Sequence, residues 1–284
     1  MNKKIFSENC NLSSYTTIKV GGVAEYFAEP RSIEEFSYLI KWANLNKQRC
    51  QIIGAGSNLL INNIFIKGLV VCTKKLKLLK VDPCSGIVEA EAGVMLPTLS
   101  NSLAKNGLQG GEWAVGIPGT LGGAIYMNAG TGNLSLAKNL ISVKVINNKT
   151  HEKLEIKKKD INFEYRFSSF QRNDLTIISA RLHFEPNGNL EKLIQTTKNN
   201  LKLKTETQPY HQPSFGSVFK NPENNYAAKL IDDMGLKGFK IGGAEISTMH
   251  SNFIINKFSA SSKDIYELIT VIQQKVLQKK GIYL

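Results

Sequence analysis

At 284 residues, 42% of them hydrophobic and 21% charged, the chain has enough apolar material for a sizeable core and more than one compact lobe, which excludes a disordered, fibrous or single small-domain protein. Its formal charge of +13 admits nucleic acid, a membrane surface or an anionic small molecule, but the lysines fall in short runs such as 74–80 and 157–159 without interleaved aromatic residues, the pattern of solvated faces. The opening MNKKIFSENCNLSS has no apolar leader core, no segment nears the roughly 18 apolar residues of a membrane span, and Cys10, Cys50, Cys72 and Cys84 form no CxxC pair. The expectation is a cytoplasmic monomer with free thiols, no metal site, and neither nucleic acid nor membrane as partner.

Ser32-Ile33-Glu34-Glu35 has the form of a capping box, and Ile33, Phe36, Leu39, Ile40 and Ala43 follow at helical spacing, so a helix is predicted from here to about Asn46. Cys50-Gln51-Ile52-Ile53 reads as a short buried strand, interrupted by the loop Gly54-Ala55-Gly56-Ser57-Asn58 and resumed through Leu59-Leu60-Ile61. Strands are predicted at 68–72 and 86–92 and a helix at 96–105. Beyond the glycine-rich stretch 116–132 come β-rich runs at 140–147 and 175–185, with Asn147-Asn148 as a turn. Composition shifts at Pro186-Asn187-Gly188-Asn189, and Leu190, Leu193, Ile194 and Leu201 then mark a helix, which places a domain boundary near 188. The remainder reads as a helix at 225–234, strands near 239–247 and 252–256, and a long helix from Ser261 to Lys280, opened by a capping box of Ser261 and Asp264.

Four stretches carry chemistry. In Gly54-Ala55-Gly56-Ser57-Asn58 the missing side chains let backbone N–H groups approach an anion such as a pyrophosphate, although Leu59 stands where a dinucleotide fingerprint would have its third glycine, and a plain tight turn fits equally well. The segment Gly116-Ile117-Pro118-Gly119-Thr120-Leu121-Gly122-Gly123-Ala124 runs on to Asn128 and Gly130 without a charged residue; it reads as a contact for a flat, partly polar cofactor in preference to a buried turn. Glu164-Tyr165-Arg166-Phe167-Ser168-Ser169 sets an arginine suited to bidentate carboxylate or phosphate contact beside an aromatic ring, although for a lone Arg166 a structural ion pair is the default reading. In Phe215-Gly216-Ser217-Val218-Phe219-Lys220-Asn221-Pro222, Ser217 follows a glycine, but this is not the GxSxG elbow of an acyl-enzyme serine.

These stretches, together with Thr17-Ile18-Lys19-Val20-Gly21-Gly22, Leu236–Ser247 and His250-Ser251-Asn252-Phe253-Ile254, occur in an order that resembles the enolpyruvyl-UDP-N-acetylglucosamine reductase (MurB) family over almost the whole chain. The resemblance implies an α+β protein: a two-lobed FAD-binding domain of the vanillyl-alcohol-oxidase (PCMH) type over 1–188, with lobes of about 1–68 and 69–188, and a C-terminal α+β substrate domain over 189–284 that lacks its last strand. It implies bound FAD, NADPH as reductant, and a UDP-sugar enolpyruvyl ether reduced to UDP-N-acetylmuramate in peptidoglycan synthesis. By the same likeness Gly54, Ala55, Gly56, Ser57, Asn58, Ile117, Pro118, Gly119, Thr120, Gly122 and Gly123 hold the flavin. Arg166 stabilises charge developing at the substrate carboxylate, Ser217 donates the proton, and Tyr165, Lys220 and Asn221 contact the substrate. The family's third catalytic group, a glutamate in a final strand motif after Gly-Ile-x-Leu, has no counterpart in a sequence that ends at Gly281-Ile282-Tyr283-Leu284; a truncated chain is the expectation, and protonation supported differently is the alternative. The length matches the smaller class without a tyrosine-bearing loop. Another FAD-dependent oxidoreductase of the same fold is the alternative, and a basic nucleic-acid-binding protein is a more distant one.

Overall fold

The computed structural model describes residues 5–62 and 64–284. Helix α1 (Ile33–Leu45) forms where spacing and cap place it: Ser32 accepts the Glu35 N–H at 3.2 Å. The Glu35 carboxylate accepts from Arg31 N at 2.7 Å, one residue before the partner of a full capping box. Its stripe of Phe36, Leu39, Ile40 and Ala43 is buried together with Ala28, Leu69 and Val71 of a four-stranded sheet. The strands are β1 (Ser7–Asn11), β2 (Val23–Ala28), β3 (Cys50–Ile53) and β4 (Phe65–Cys72), in the order β1-β2-β4-β3. Because β3 and β4 run parallel, in register from Cys50 opposite Leu69 to Ile53 opposite Cys72, the Gly54–Asn58 loop leaves the carboxyl end of a parallel strand. In open α/β sheets that is where ligands bind. The strand expected at Leu59–Ile61 does not form. Leu60 instead packs, as irregular chain, on the core of the C-terminal residues, and apolar character without a strand partner does not make a ladder.

Next in the chain come β5 (Leu79–Val81), β6 (Ile87–Glu91), α2 (Leu96–Lys105), the short α3 (Leu121–Tyr126) and the hairpin β7 (Gly130–Thr131) and β8 (Leu134–Ser135). They are followed by β9 (Leu140–Asn147), β10 (Lys153–Lys157), the hairpin β11 (Phe163–Glu164) and β12 (Phe167–Ser168), and β13 (Leu175–His183). The long strands form an antiparallel sheet in the order β10-β9-β13-β6-β5. Val143, Val145, Ala180 and Leu182 share a core with Leu99 and Leu103 of α2 and Leu121 and Ile125 of α3, while Ile146 and Ile178 join the α1 core. A sheet covered on both faces explains why β9 and β13 read as near-continuous apolar runs.

Helix α4 (Leu190–Thr207) begins as predicted, and packing then divides the chain into two units. One comprises residues up to Cys10, Ala24–Ala55 and Lys67–Lys202; the other comprises Asn11–Val23, Gly56–Ile66 and Leu203–Leu284. The second unit contains β14 (Ser214–Ser217), α5 (Ala227–Asp232), β15 (Lys240–Ile241), β16 (Ala244–Ile246), β17 (Phe253–Asn256) and α6 (Ser262–Lys280), with sheet order β14-β17-β16-β15. Ile265, Leu268, Ile272 and Val276 line the inner face of α6 and pack with Ile18 and Val20 from the N-terminal segment. The capping box of Ser261 and Asp264 is present. The single strand expected over 239–247 is two, joined at Gly242-Gly243, because Asp264 also accepts the Gly243 N–H at 3.2 Å and ties the turn to the helix. Helix α5 is shorter than 225–234: Asp233 caps it, and Gly235 at φ 65 turns the chain away.

Glu245 of β16, 2% exposed, is the buried charge of this unit. It lies opposite Lys240 and pairs with Lys257 at 2.9 Å and Lys240 at 3.4 Å. Burial pushes its carboxyl up, but the hydrogen bond and charge of Lys257, followed by those of Lys240, outweigh burial and hold it below the ordinary glutamate value of 4.5. A carboxylate lowered in the folded state contributes stability above the unfolded value and loses it as pH falls through the folded one. Urea unfolding of Glu245→Gln against the parent protein is therefore expected to show a lower midpoint at neutral pH, with the difference shrinking as pH falls below about 4.5.

Candidate functional site

The loop after β3 and the segment around α3 meet at one point. A Cβ on Gly54 would stand 2.3 Å from Thr120 Oγ1, so only glycine allows this approach. Thr120 is buried, caps α3, and accepts from Gly123 N at 3.4 Å. The next two N–H groups of α3 are also taken, Leu121 N by Val94 O and Gly122 N by Ala92 O, both at 2.8 Å. The start of α3 is thus closed by the chain itself and offers no donors to an anion. Among the described residues, the N–H groups of Ala55, Gly56, Ser57 and Asn58 make no hydrogen bond. With Gly56 at φ 65, these successive free donors form the kind of backbone concavity that accepts a phosphate oxygen.

The outer side of α3 has a different chemistry. Leu121, Ala124 and Ile125 face the core, while Pro118, Gly123 and Tyr126 are exposed and Ile117, Gly119 and Gly122 are half-buried. Small residues repeating at i and i+4 leave a low, uncharged surface on which a planar ring can lie. Loop and helix therefore divide the work: polar backbone donors on one, a flat apolar platform on the other.

Three contacts anchor the β11–β12 hairpin to the end of this segment. Asn128 Nδ2 donates to Glu164 O at 2.9 Å, Ser168 Oγ to Tyr126 O at 2.7 Å, and Arg166 Nη2 to Gly130 O at 2.9 Å. Asn128 Oδ1 is buried without a partner, an acceptor left over for a ligand donor. Arg166 is half-buried at φ 54, a conformation costly for a side chain with a Cβ and held here by the surrounding bonds. Its guanidinium lies 5.0 Å from the centre of the exposed Tyr165 ring, and among the described residues no carboxylate pairs with it. Among the described residues, the structural ion pair that is the default for a lone arginine is not formed at Arg166.

Ser217 and its neighbours belong to the second unit. Ser217 is exposed at the end of β14, after Gly216 at φ 79, and Lys220 is exposed beyond it. Asn221 Oδ1 accepts from Ala227 N at 3.1 Å, supplying the start of α5 with a cap that Tyr226 cannot provide. Sequence reasoning gave no role to Asn252, which binds the backbone just after Ser217; the only signal was an amide between residues that proved buried. Among the described residues no group of three His, Cys, Asp or Glu side chains converges, and no helix is long and apolar enough to cross a membrane.

Residues 24–152 match the family model described as an FAD binding domain, and residues 208–284 match the C-terminal domain of UDP-N-acetylenolpyruvoylglucosamine reductase. A reductase of that name from Prochlorococcus marinus subsp. pastoris is 71% identical over 279 residues, 98% of this chain and 94% of the relative. The chain belongs to the MurB family. A second MurB relative, from Prochlorococcus marinus strain NATL2A, is 48% identical over 100% of this chain and 97% of its own. The crystal structure of MurB from Thermus caldophilus superposes with a TM-score of 0.82 at 30% identity, covering 95% of each chain. The α+β fold is accordingly an FAD-binding domain of the PCMH type followed by a MurB C-terminal domain, and the protein is an FAD-dependent oxidoreductase.

The residues present fit FAD: free backbone donors for its pyrophosphate, a small-residue platform for its ring system, and a buried orphan acceptor at Asn128. Gly123 tests the platform, since a Cβ there would touch only Thr120 Oγ1, at 3.5 Å, and a helical alanine is at least as stable as glycine. Gly123→Ala is expected to keep the parent melting temperature without cofactor but bind FAD about tenfold more weakly, ~1.4 kcal/mol, in a flavin-fluorescence titration.

Proposed function

We propose that this protein reduces the enolpyruvyl ether of UDP-N-acetylglucosamine to UDP-N-acetylmuramate, with NADPH as the source of reducing equivalents, for the synthesis of peptidoglycan precursors. Its MurB relatives and both family models support the reading, as do an arginine and a serine of the kinds this substrate's chemistry requires. Bound FAD, held by the Gly54–Asn58 loop and the segment around α3, would supply the hydride chemistry.

The chain's own residues handle charge and the proton. Addition of hydride to an enol ether that bears a carboxylate drives negative charge toward that carboxylate. Arg166, with a planar fork that no carboxylate among the described residues neutralises, binds the developing charge and lowers the barrier. The Ser217 hydroxyl, exposed at the tip of β14, then gives its proton to the carbon next to the one reduced. Gly54–Asn58, Ile117, Pro118, Gly119, Thr120, Gly122 and Gly123 hold the flavin. Tyr165, Lys220 and Asn221 orient the substrate, Lys220 as a cation for its phosphates and Asn221 through the loop it fastens to α5.

The observation that carries this reading is the state of Arg166: strained at φ 54, its guanidinium bonded to Gly130 O, and, among the described residues, without an acidic partner. We further propose a functional boundary near 188, with lobes of about 1–68 and 69–188 before it and the substrate domain after it. The protein acts as a cytoplasmic monomer that needs neither nucleic acid nor a membrane surface; the spread of its positive charge over many exposed lysines supports this.

Anaerobic stopped-flow absorbance of the flavin separates the two half-reactions. Ser217→Ala is expected to leave reduction by NADPH unchanged and to slow reoxidation by the enolpyruvyl substrate roughly 10²–10⁴-fold. Equal slowing of both halves would remove Ser217 from proton transfer. For Arg166→Lys the expectation is likewise a slowed second half only, on the order of 10²-fold. Unchanged turnover would take Arg166 out of the site.

A further inference from the structure

The backbone around Ser217 has an unusual support. Along β14 and β17, Ser214 lies opposite Ile255 and Ser217 opposite Phe253, so an irregularity falls between the two pairs and the regular ladder ends at Ser217. The polar groups of Val218 and Phe219 then need partners, because Phe219 is buried and water does not serve it. Asn252, 4% exposed, satisfies them: its main-chain oxygen accepts from Val218 N at 2.9 Å, its Oδ1 accepts from Phe219 N at 3.0 Å, and its Nδ2 donates to Phe219 O at 2.9 Å. A carboxamide carries a donor and an acceptor on one planar end, so this side chain takes the place of the next rung of the sheet. Asn252 is itself fixed from behind, where its N–H donates to His250 Nδ1 at 3.3 Å and the His250 ring meets Phe253 edge-on at 4.8 Å.

We propose that Asn252 is a positioning residue for Ser217, holding the 218–219 backbone so that the hydroxyl is presented in one orientation at the strand end. The proposal rests on the reading of Ser217 as the proton donor. Gly216, at φ 79 and with no atom within 4 Å of a would-be Cβ, gives the segment no side-chain packing on its other side, so beyond the pair of Ser217 with Phe253 the bonds from Asn252 are what hold it. A proton donor misplaced by about 1 Å can lose on the order of 10²-fold in rate.

The test uses the FAD-loaded full chain and the same two half-reactions. Asn252→Ala removes both side-chain bonds and is expected to slow substrate-dependent reoxidation about 100-fold, while reduction by NADPH and the KM for the enolpyruvyl substrate stay near parent values. Asn252→Asp keeps the acceptor for Phe219 N, loses the donor to Phe219 O, and is expected to lose about tenfold; it decides the matter if the alanine variant fails to fold. On a Ser217→Ala background neither change is expected to slow the second half further. Additional slowing there equal to that in the parent, or equal loss in both half-reactions, overturns the proposal. If Ser217→Ala leaves reoxidation untouched, the serine reading itself fails and takes the positioning role with it.

Discussion

The approach of Gly54 to Thr120 is the constraint on which the flavin half of the structure depends. A methyl group at 54 would collide with the threonine hydroxyl, and that hydroxyl caps α3, so one contact fixes both the exit of the loop from β3 and the start of the helix. The helix N–H groups are then used up by Val94, Ala92 and Thr120, whereas those of residues 55–58 are left free. Backbone groups seldom stay unpaired unless water or a ligand takes them. The division between an anion-accepting loop and an inert platform follows from which donors the fold has already spent.

In the second unit, buried polar side chains do what long strands do elsewhere. Its sheet is made of strands two to four residues long, too short to specify a register through the ladder alone. Glu245 pairs with lysines from the two neighbouring segments, Asn252 extends β14 past its irregular end, and Asp264 ties a turn to the start of α6. Asn256 does the same at longer range, donating to Ile18 O at 3.0 Å and accepting from Ala260 N at 2.7 Å. Each is costly to bury unless paired, so each selects the one arrangement that pairs it.

The excess positive charge has a plainer origin. Lys74, Lys77 and Lys80, like Lys157, Lys158 and Lys159, stand exposed, and β5 with Lys80 and β10 with Lys157 are the opposite edges of one sheet. Pairs such as Lys75 with Glu29 at 2.9 Å are partly solvated and contribute about 0–1 kcal/mol each. A broad positive potential of this kind favours capture of anionic nucleotides in general without choosing among them.

The sequence by itself determined α1, α2, α4 and α6, the first and last with their capping residues, because helical periodicity and N-terminal hydrogen bonding are local properties of the chain. It also determined the family, through motifs whose order and spacing survive without any knowledge of their contacts. Tertiary structure alone decided that Leu59–Ile61 is irregular chain, that 239–247 breaks into two strands, and that β1, β2, β10 and the short hairpins exist, since a strand is defined by a partner distant in sequence. It alone decided that, among the described residues, Arg166 has no acidic partner and the donors of residues 55–58 are free while those of α3 are not, and that Asn252 stands behind Ser217. Those are facts about what remains unsatisfied after folding, and a linear sequence carries no record of which polar groups have already found each other.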